Sequence, residues 1–135
     1  MSAVAPPEVE ERLRAERTIW LATVDADGAP AVRPVWFLWE AGELFLYSKP
    51  TAAKVRHIEE NPHVCLHLDP NEWGENVVIV FGEARFAPDR PRADECAPYI
   101  EKYRDGLERF ELTAPGLGDD YSVAIAVEPR RFLTY

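Results

Sequence analysis

No stretch of this 135-residue chain approaches the roughly 20 consecutive apolar residues of a membrane-spanning helix, so no membrane segment is expected. Cysteine is scarce: Cys65 and Cys96 are the only two, too few for a disulfide framework. The opening MSAVAPPEVEERL lacks the basic end and apolar middle of a secretory signal, which together with the low cysteine count makes the cytoplasm the expected compartment. The seven glycines are scattered and form no nucleotide-cradling loop. No serine sits in a Gly-x-Ser-x-Gly setting and neither cysteine has an activating motif, so hydrolytic nucleophile chemistry finds no support. Positive charge is short as well. Fifteen Lys and Arg face 24 Asp and Glu, a net charge of -9, which argues against a nucleic-acid binder.

What is present is a globular composition, 47% hydrophobic and 29% charged, at a length suited to one domain spanning 1–135 with a mobile tail over 1–7. The sparse positive charge is also unevenly placed. Between Arg33 and His57 lie Arg33, Lys49, Lys54 and Arg56 against Glu40 and Glu43, a local +2 that leaves -11 elsewhere. Such an island attracts a small anion while the rest of the surface repels polyanions.

After the tail, PEVEERLRAERT reads as a short polar helix with Val9 and Leu13 on one face. Strands are expected at Thr18–Val24, Ala31–Trp39 and Leu44–Ser48, with turn signals at Asp27-Gly28 and Ala41-Gly42. A helix over about 51–60 stops before Asn61-Pro62. Further strands are expected at His63–Leu68, Val77–Phe86 and Tyr121–Val127, the last running on towards Phe132. The segment from Pro88 to Leu112 is helix-prone but punctuated by Pro91 and Pro98, and TAPGLGDD reads as loop. Six strands joined mostly by short turns, with a few peripheral helices, suggest a mainly β, closed antiparallel barrel. The second strand is apolar on both faces, Val32, Pro34, Trp36 and Leu38 on one, Val35, Phe37 and Trp39 beside Arg33 on the other. The face turned away from the barrel interior needs a cover, so a homodimer is expected.

Ser48-Lys49-Pro50-Thr51 leads into a helix start, where free N–H groups favour an anion. Lys54, a turn inside, and Arg33, on a nearby strand, are candidates to clamp a phosphate, the plain alternative being an ordinary cap with solvated basic residues. His63, Cys65 and His67 alternate on one strand face, but no fourth ligand is positioned and no metal is expected. Of the four tryptophans, Trp73 stands apart in a polar loop, either covering a bound ring or anchoring the loop.

Three blocks, LATVDADGAPAVRPVWFLW, LYSKPTAAKVRHIEENPHVCLHLD and VVIVFGEARF, resemble the pyridoxamine 5'-phosphate oxidase-like, or FMN-binding split-barrel, superfamily; the final AVEPRRFLTY agrees more loosely. More narrowly they look like the actinobacterial branch of deazaflavin (coenzyme F420)-dependent reductases. The resemblance implies a six-stranded split β-barrel, homodimeric, with two cofactor sites at the subunit interface. It assigns Arg33 and Lys54 to the cofactor's phosphate-bearing chain, Ser48, Lys49 and Ala53 to its approach, and Pro34, Val35 and Trp36 to the flavin-like ring. Trp36 and Trp73 are expected as ring or substrate walls, and Tyr47 as a hydrogen-bond or proton donor unless strand parity buries it. Ala52-Ala53-Lys54 stands where FMN members show a Ser-Arg-Lys-like cluster, which favours F420 over FMN. The arginine pattern for pyridoxamine phosphate is not clearly present near Arg130 and Arg131, so vitamin B6 oxidation is not expected. The expected function is hydride transfer between F420 and a small electron-poor organic substrate; FMN in the same site, or a non-catalytic cofactor carrier, are the alternatives.

Overall fold

The computed structural model describes residues 2–135. Helix α1 (Pro7–Ala15) begins on a proline, carries Glu8 and Glu10 in its first turn and Arg12 and Arg14 in its last, and so complements its own dipole. Its Val9 and Leu13, four residues apart, are both buried. Strands β1 (Ile19–Val24) and β2 (Pro30–Val35) form a hairpin. The Asp25 carboxylate closes the turn by accepting the backbone N–H groups of Asp27 and Ala29, both at 2.9 Å. Strands β3 (Leu38–Glu40) and β4 (Glu43–Ser48) flank a two-residue turn in which Ala41 and Gly42 have φ of 52° and 77°. Two positive values mark the turn whose twist matches its strands. Helix α2 (Ala53–Glu60) follows, then β5 (His63–His67) and β6 (Val78–Phe86). A short 3-10 turn leads to α3 (Ala97–Lys102), α4 (Arg104–Arg109) and α5 (Ala114–Asp120), and β7 (Val123–Thr134) ends the chain.

The seven strands form one antiparallel sheet in the order β2-β1-β5-β6-β7-β4-β3. Its outermost members, β2 and β3, are separated in sequence by Trp36 and Phe37 alone. A flat seven-stranded sheet would hold its edges about 29 Å apart, six spacings of about 4.8 Å. Three Cα–Cα steps from Val35 to Leu38 reach only about 11 Å. The sheet therefore has to roll up until its edges nearly meet, an arrangement consistent with a split barrel. Seven strands stand where six were expected, because the continuous apolar run from Ala31 to Trp39 breaks at Trp36-Phe37 as the chain passes from one edge to the other.

Strand alternation sorts the side chains into an inside and an outside. Ile19, Leu21, Val64, Leu66, Val78 and Val80 fill the interior, and Val9 and Leu13 of α1 pack into the same cluster. A second cluster lies on the outer face of β3, β4 and β7, where Leu38, Phe45, Tyr47 and Ala126 are covered by Tyr99, Tyr103, Leu107 and Leu117 of the C-terminal helices. The outer face of β2, β1, β5 and β6 has no such cover. Trp20, Ala22, Val32, Pro34, Ile79 and Leu133 are half-buried or exposed there. Part of the expected need for a cover is thus met by the chain's own helices, and part is left open.

Ahead of α1, Ala3 donates its N–H to the Pro129 carbonyl at 2.8 Å and Ala5 packs into the core (residue 1 lies outside the described residues). Two local expectations are corrected. TAPGLGDD is helix α5, with Thr113 accepting the Gly116 N–H at 3.0 Å as its N-cap. The last strand begins two residues later than expected and extends to Thr134. Among the described residues, no helix is long and apolar enough to cross a membrane.

Candidate functional site

A crevice of about 680 Å³ opens where one end of the barrel meets α2 and the C-terminal helices. Its size is that of a small-molecule or cofactor pocket. Its floor comes from β1 and β2, whose register sets Leu21 opposite Arg33 and Thr23 opposite Ala31, placing all four on one face. Helix α2 lies beside them. Residues three and four apart share a helix face, so Ala53, Lys54 and His57 point to the crevice together, while Val55 and Ile58 are buried.

The polar end of the crevice is unusual in what it lacks. Lys54 has no hydrogen-bond or carboxylate partner among the described residues, and burial together with the Arg33 guanidinium pulls its pKa below the ordinary lysine value. Arg33 donates one N–H to the Val32 carbonyl at 2.8 Å and is otherwise exposed. The α2 N-terminus has no side-chain cap and no acidic residue in its first turn. Two like charges set together without a counter-charge raise each other's free energy, and an anion between them lowers it. Beside them the buried Thr23 hydroxyl lies 2.8 Å from Nδ1 of His57 and holds the imidazole against the floor.

The other end is aromatic. Trp36 stacks on Tyr103 with ring centroids 4.4 Å apart and planes 3° apart. Tyr47 and Tyr99 meet edge to face at 4.9 Å, and Phe110, Leu112, Leu117 and Tyr121 continue the wall. The Tyr47 hydroxyl donates to the Pro91 carbonyl at 2.7 Å, and burial, with the neighbouring Cys96, pushes its pKa up to about 12. Burial pushes Tyr99 up as well. Both rings stay neutral at ordinary pH and act as walls.

Of the residues singled out from the sequence, Arg33, Pro34, Val35, Trp36, Tyr47, Ala53 and Lys54 line this one crevice. Three do not. Ser48 is fully buried with its hydroxyl donated to the Lys49 carbonyl at 2.9 Å. Lys49 is exposed, its ammonium 5.5 Å from the centroid of Tyr121, so it flanks the wall from outside. Trp73 is 80% exposed on the β5–β6 connection and its N–H is donated to the Asn71 side chain at 2.9 Å. The loop is tied by the Asn71 side chain, which also accepts the Glu75 backbone N–H at 2.8 Å, and the Trp73 indole does not reach the crevice. Thr23, His57, Tyr99 and Tyr121 were not anticipated. Only His57 carried a signal, since it falls one turn beyond Lys54. His63, Cys65 and His67 share a face as expected, and among the described residues no group of three metal-ligating side chains converges.

A family model described as pyridoxamine 5'-phosphate oxidase matches residues 5–134. Among solved structures, an F420 reductase is 27% identical, over 96% of this chain and 98% of its own, with a TM-score of 0.71. A conserved hypothetical protein from Mycobacterium tuberculosis is 21% identical over 97% of this chain and 84% of its own, at a TM-score of 0.75. The haem storage protein HutZ from Vibrio cholerae is 21% identical over 95% and 92%, at 0.66. The last two show a shared fold alone. No curated protein matches the chain.

Proposed function

Because the chain belongs to the pyridoxamine 5'-phosphate oxidase family, we propose that its crevice holds a tailed redox ring, and that the ring is the deazaflavin of F420. The observation that carries the reading is the pairing of Arg33 and Lys54, without a carboxylate between them, at one end of a crevice whose other end is aromatic. The donor set fits such a group: two cations and an uncapped helix start suit a phosphate-bearing tail, and Trp36 with the tyrosines suits a planar ring. The choice of F420 over FMN is supported by Ala52-Ala53, which offer no side-chain donors to a terminal phosphate, and by the likeness to an F420 reductase.

When bound, the deazaflavin supplies hydride exchange between its ring and a small electron-poor molecule. The chain's own part is binding and placement. Arg33 and Lys54 grip the anionic tail, Pro34, Val35 and Trp36 set the ring against the β2–β3 junction, and Tyr47, Tyr99 and Tyr121 keep water from the far wall. No protein nucleophile takes part.

The uncovered outer face of β2, β1, β5 and β6 is the surface on which a second copy seats, making a homodimer. Val32 and Pro34 lie on that face at its edge strand, and Pro34 also lines the crevice, so the partner's surface borders it. Fluorescence titration of the purified protein with F420 and, separately, with FMN tests the cofactor. Tighter binding of F420, with turnover of its reduced form by an electron-poor acceptor, is expected; preference for FMN overturns the choice, and binding of neither removes the site.

A further inference from the structure

Trp36 presents itself to the crevice, and its plane is set from behind by two residues outside the ring-and-tail site. Tyr103 stacks on the indole, and its own ring is fixed: the hydroxyl accepts the Phe37 N–H at 2.7 Å and donates to the Arg17 carbonyl at 2.6 Å. Gly106, one turn further along, leaves a gap that the indole fills. A Cβ placed on Gly106 would stand 3.0 Å from both Cη2 and Cζ2 of Trp36, closer than carbon atoms ordinarily pack. Glycine is among the poorest helix formers, so its place inside α4 is opposed by local preference and favoured by the room it leaves. The indole is rigid and Tyr103 blocks one direction, so the side of Trp36 that can yield is the crevice side.

We propose that Gly106 and Tyr103 are positioning residues that fix the plane of Trp36 and thereby set the width of the slot for the cofactor ring. This rests on the reading of the crevice as a ring-and-tail site. It makes ring recognition depend on the C-terminal helices, while the tail is held by β2 and α2.

The test uses full-length protein carrying 5-fluorotryptophan, whose four tryptophans give separate fluorine resonances; the one missing from Trp36→Phe belongs to Trp36. In Gly106→Ala that resonance moves while those of Trp20, Trp39 and Trp73 stay. Affinity for F420 falls about tenfold as the displaced indole narrows the slot. In the Trp36→Phe background the same Gly106→Ala change alters affinity by less than about twofold, because the group it displaces is gone. Tyr103→Leu, which removes the stacked ring, moves the same resonance. A Trp36 resonance unmoved in folded Gly106→Ala protein, or a tenfold loss that persists without the indole, overturns the proposal. Should wild-type protein bind neither F420 nor FMN, the site reading falls and the slot with it, whereas the Trp36 resonance alone still decides the positioning role.

Discussion

Arg33 and Lys54 stand 21 residues apart on different elements, and what joins them is the absence of a counter-charge. A bond from either to a charged group contributes about 1.5–3 kcal/mol. Arg33→Ala and Lys54→Ala are each expected to weaken F420 binding by about that amount in a fluorescence titration. The loss shrinks as salt rises, since screening already weakens the wild-type contact. Wild-type affinity in both variants, at low salt, would remove them from the site. This pair was legible because it breaks the chain's acidic background at a strand-to-helix junction. Thr23 was not, because its partner His57 lies 34 residues away and a threonine in a strand carries no mark of its own. Trp73 misled for a related reason: an aromatic in a polar loop looks reserved for a ligand, yet sequence does not say which way the loop turns.

At the scale of elements, most boundaries were readable from turn residues and prolines, and the failures have physical causes. The run from Ala31 to Trp39 keeps its apolar alternation straight through the β2–β3 junction, so nothing local marks the break. Helix α5 was hidden by two glycines and a proline, whose low helix preference is offset by the Thr113 cap and by burial of Leu117. Gly82 in β6 sits at a register shift against β7, and a Cβ there would stand 2.8 Å from the Glu128 carbonyl oxygen and from Cγ1 of Val127. Backbone cannot step aside, so Gly82→Ala is expected to lower stability by about 1–3 kcal/mol in urea denaturation. Helix α3 predicts a pH response. Burial lowers Lys102 to about 8, although Glu16 favours its charge and its ammonium donates to the Phe37 carbonyl at 2.9 Å and sits 3.8 Å from that ring's centroid. The unfolded chain therefore binds the extra proton between pH 8 and about 10.5, and stability rises with pH across that window. Above about 10 the opposite sign takes over. The raised pKa values of Tyr47, Tyr99 and Tyr103 keep them protonated in the fold while the unfolded chain ionises. Urea midpoints should climb from pH 8 to 10 and fall beyond it. Lys102→Met should shrink the climb to the share left by Lys54, whose pKa burial also lowers, and keep the fall; an undiminished climb assigns it to another group.

For the whole molecule, the proposed homodimer carries an expectation about area. A monomer of 15.3 kDa ordinarily exposes roughly 7,100 Å², whereas this chain exposes 7974 Å². The excess of about 800 Å² is what one partner contributes to a standard interface. Sedimentation is expected to give a dimer. Val32→Asp, at a position 43% exposed within the chain and so harmless to folding, should give a monomer with weakened cofactor binding. A Val32→Asp dimer that binds as tightly as wild type would move the interface elsewhere.

The junction of Trp36 and Phe37 gives the molecule a seam, in which Phe37 is buried in the core and Trp36 faces the crevice as part of the proposed ring wall. Loop insertions are usually tolerated at strand ends, but here a single added residue between Val35 and Leu38 would loosen barrel closure and ring placement together. Seen from the ligand, the coupling runs the other way: a ring seated against Trp36 clasps the barrel shut, so amide hydrogens of β2 and β3, at opposite borders of the sheet, should slow their exchange in concert.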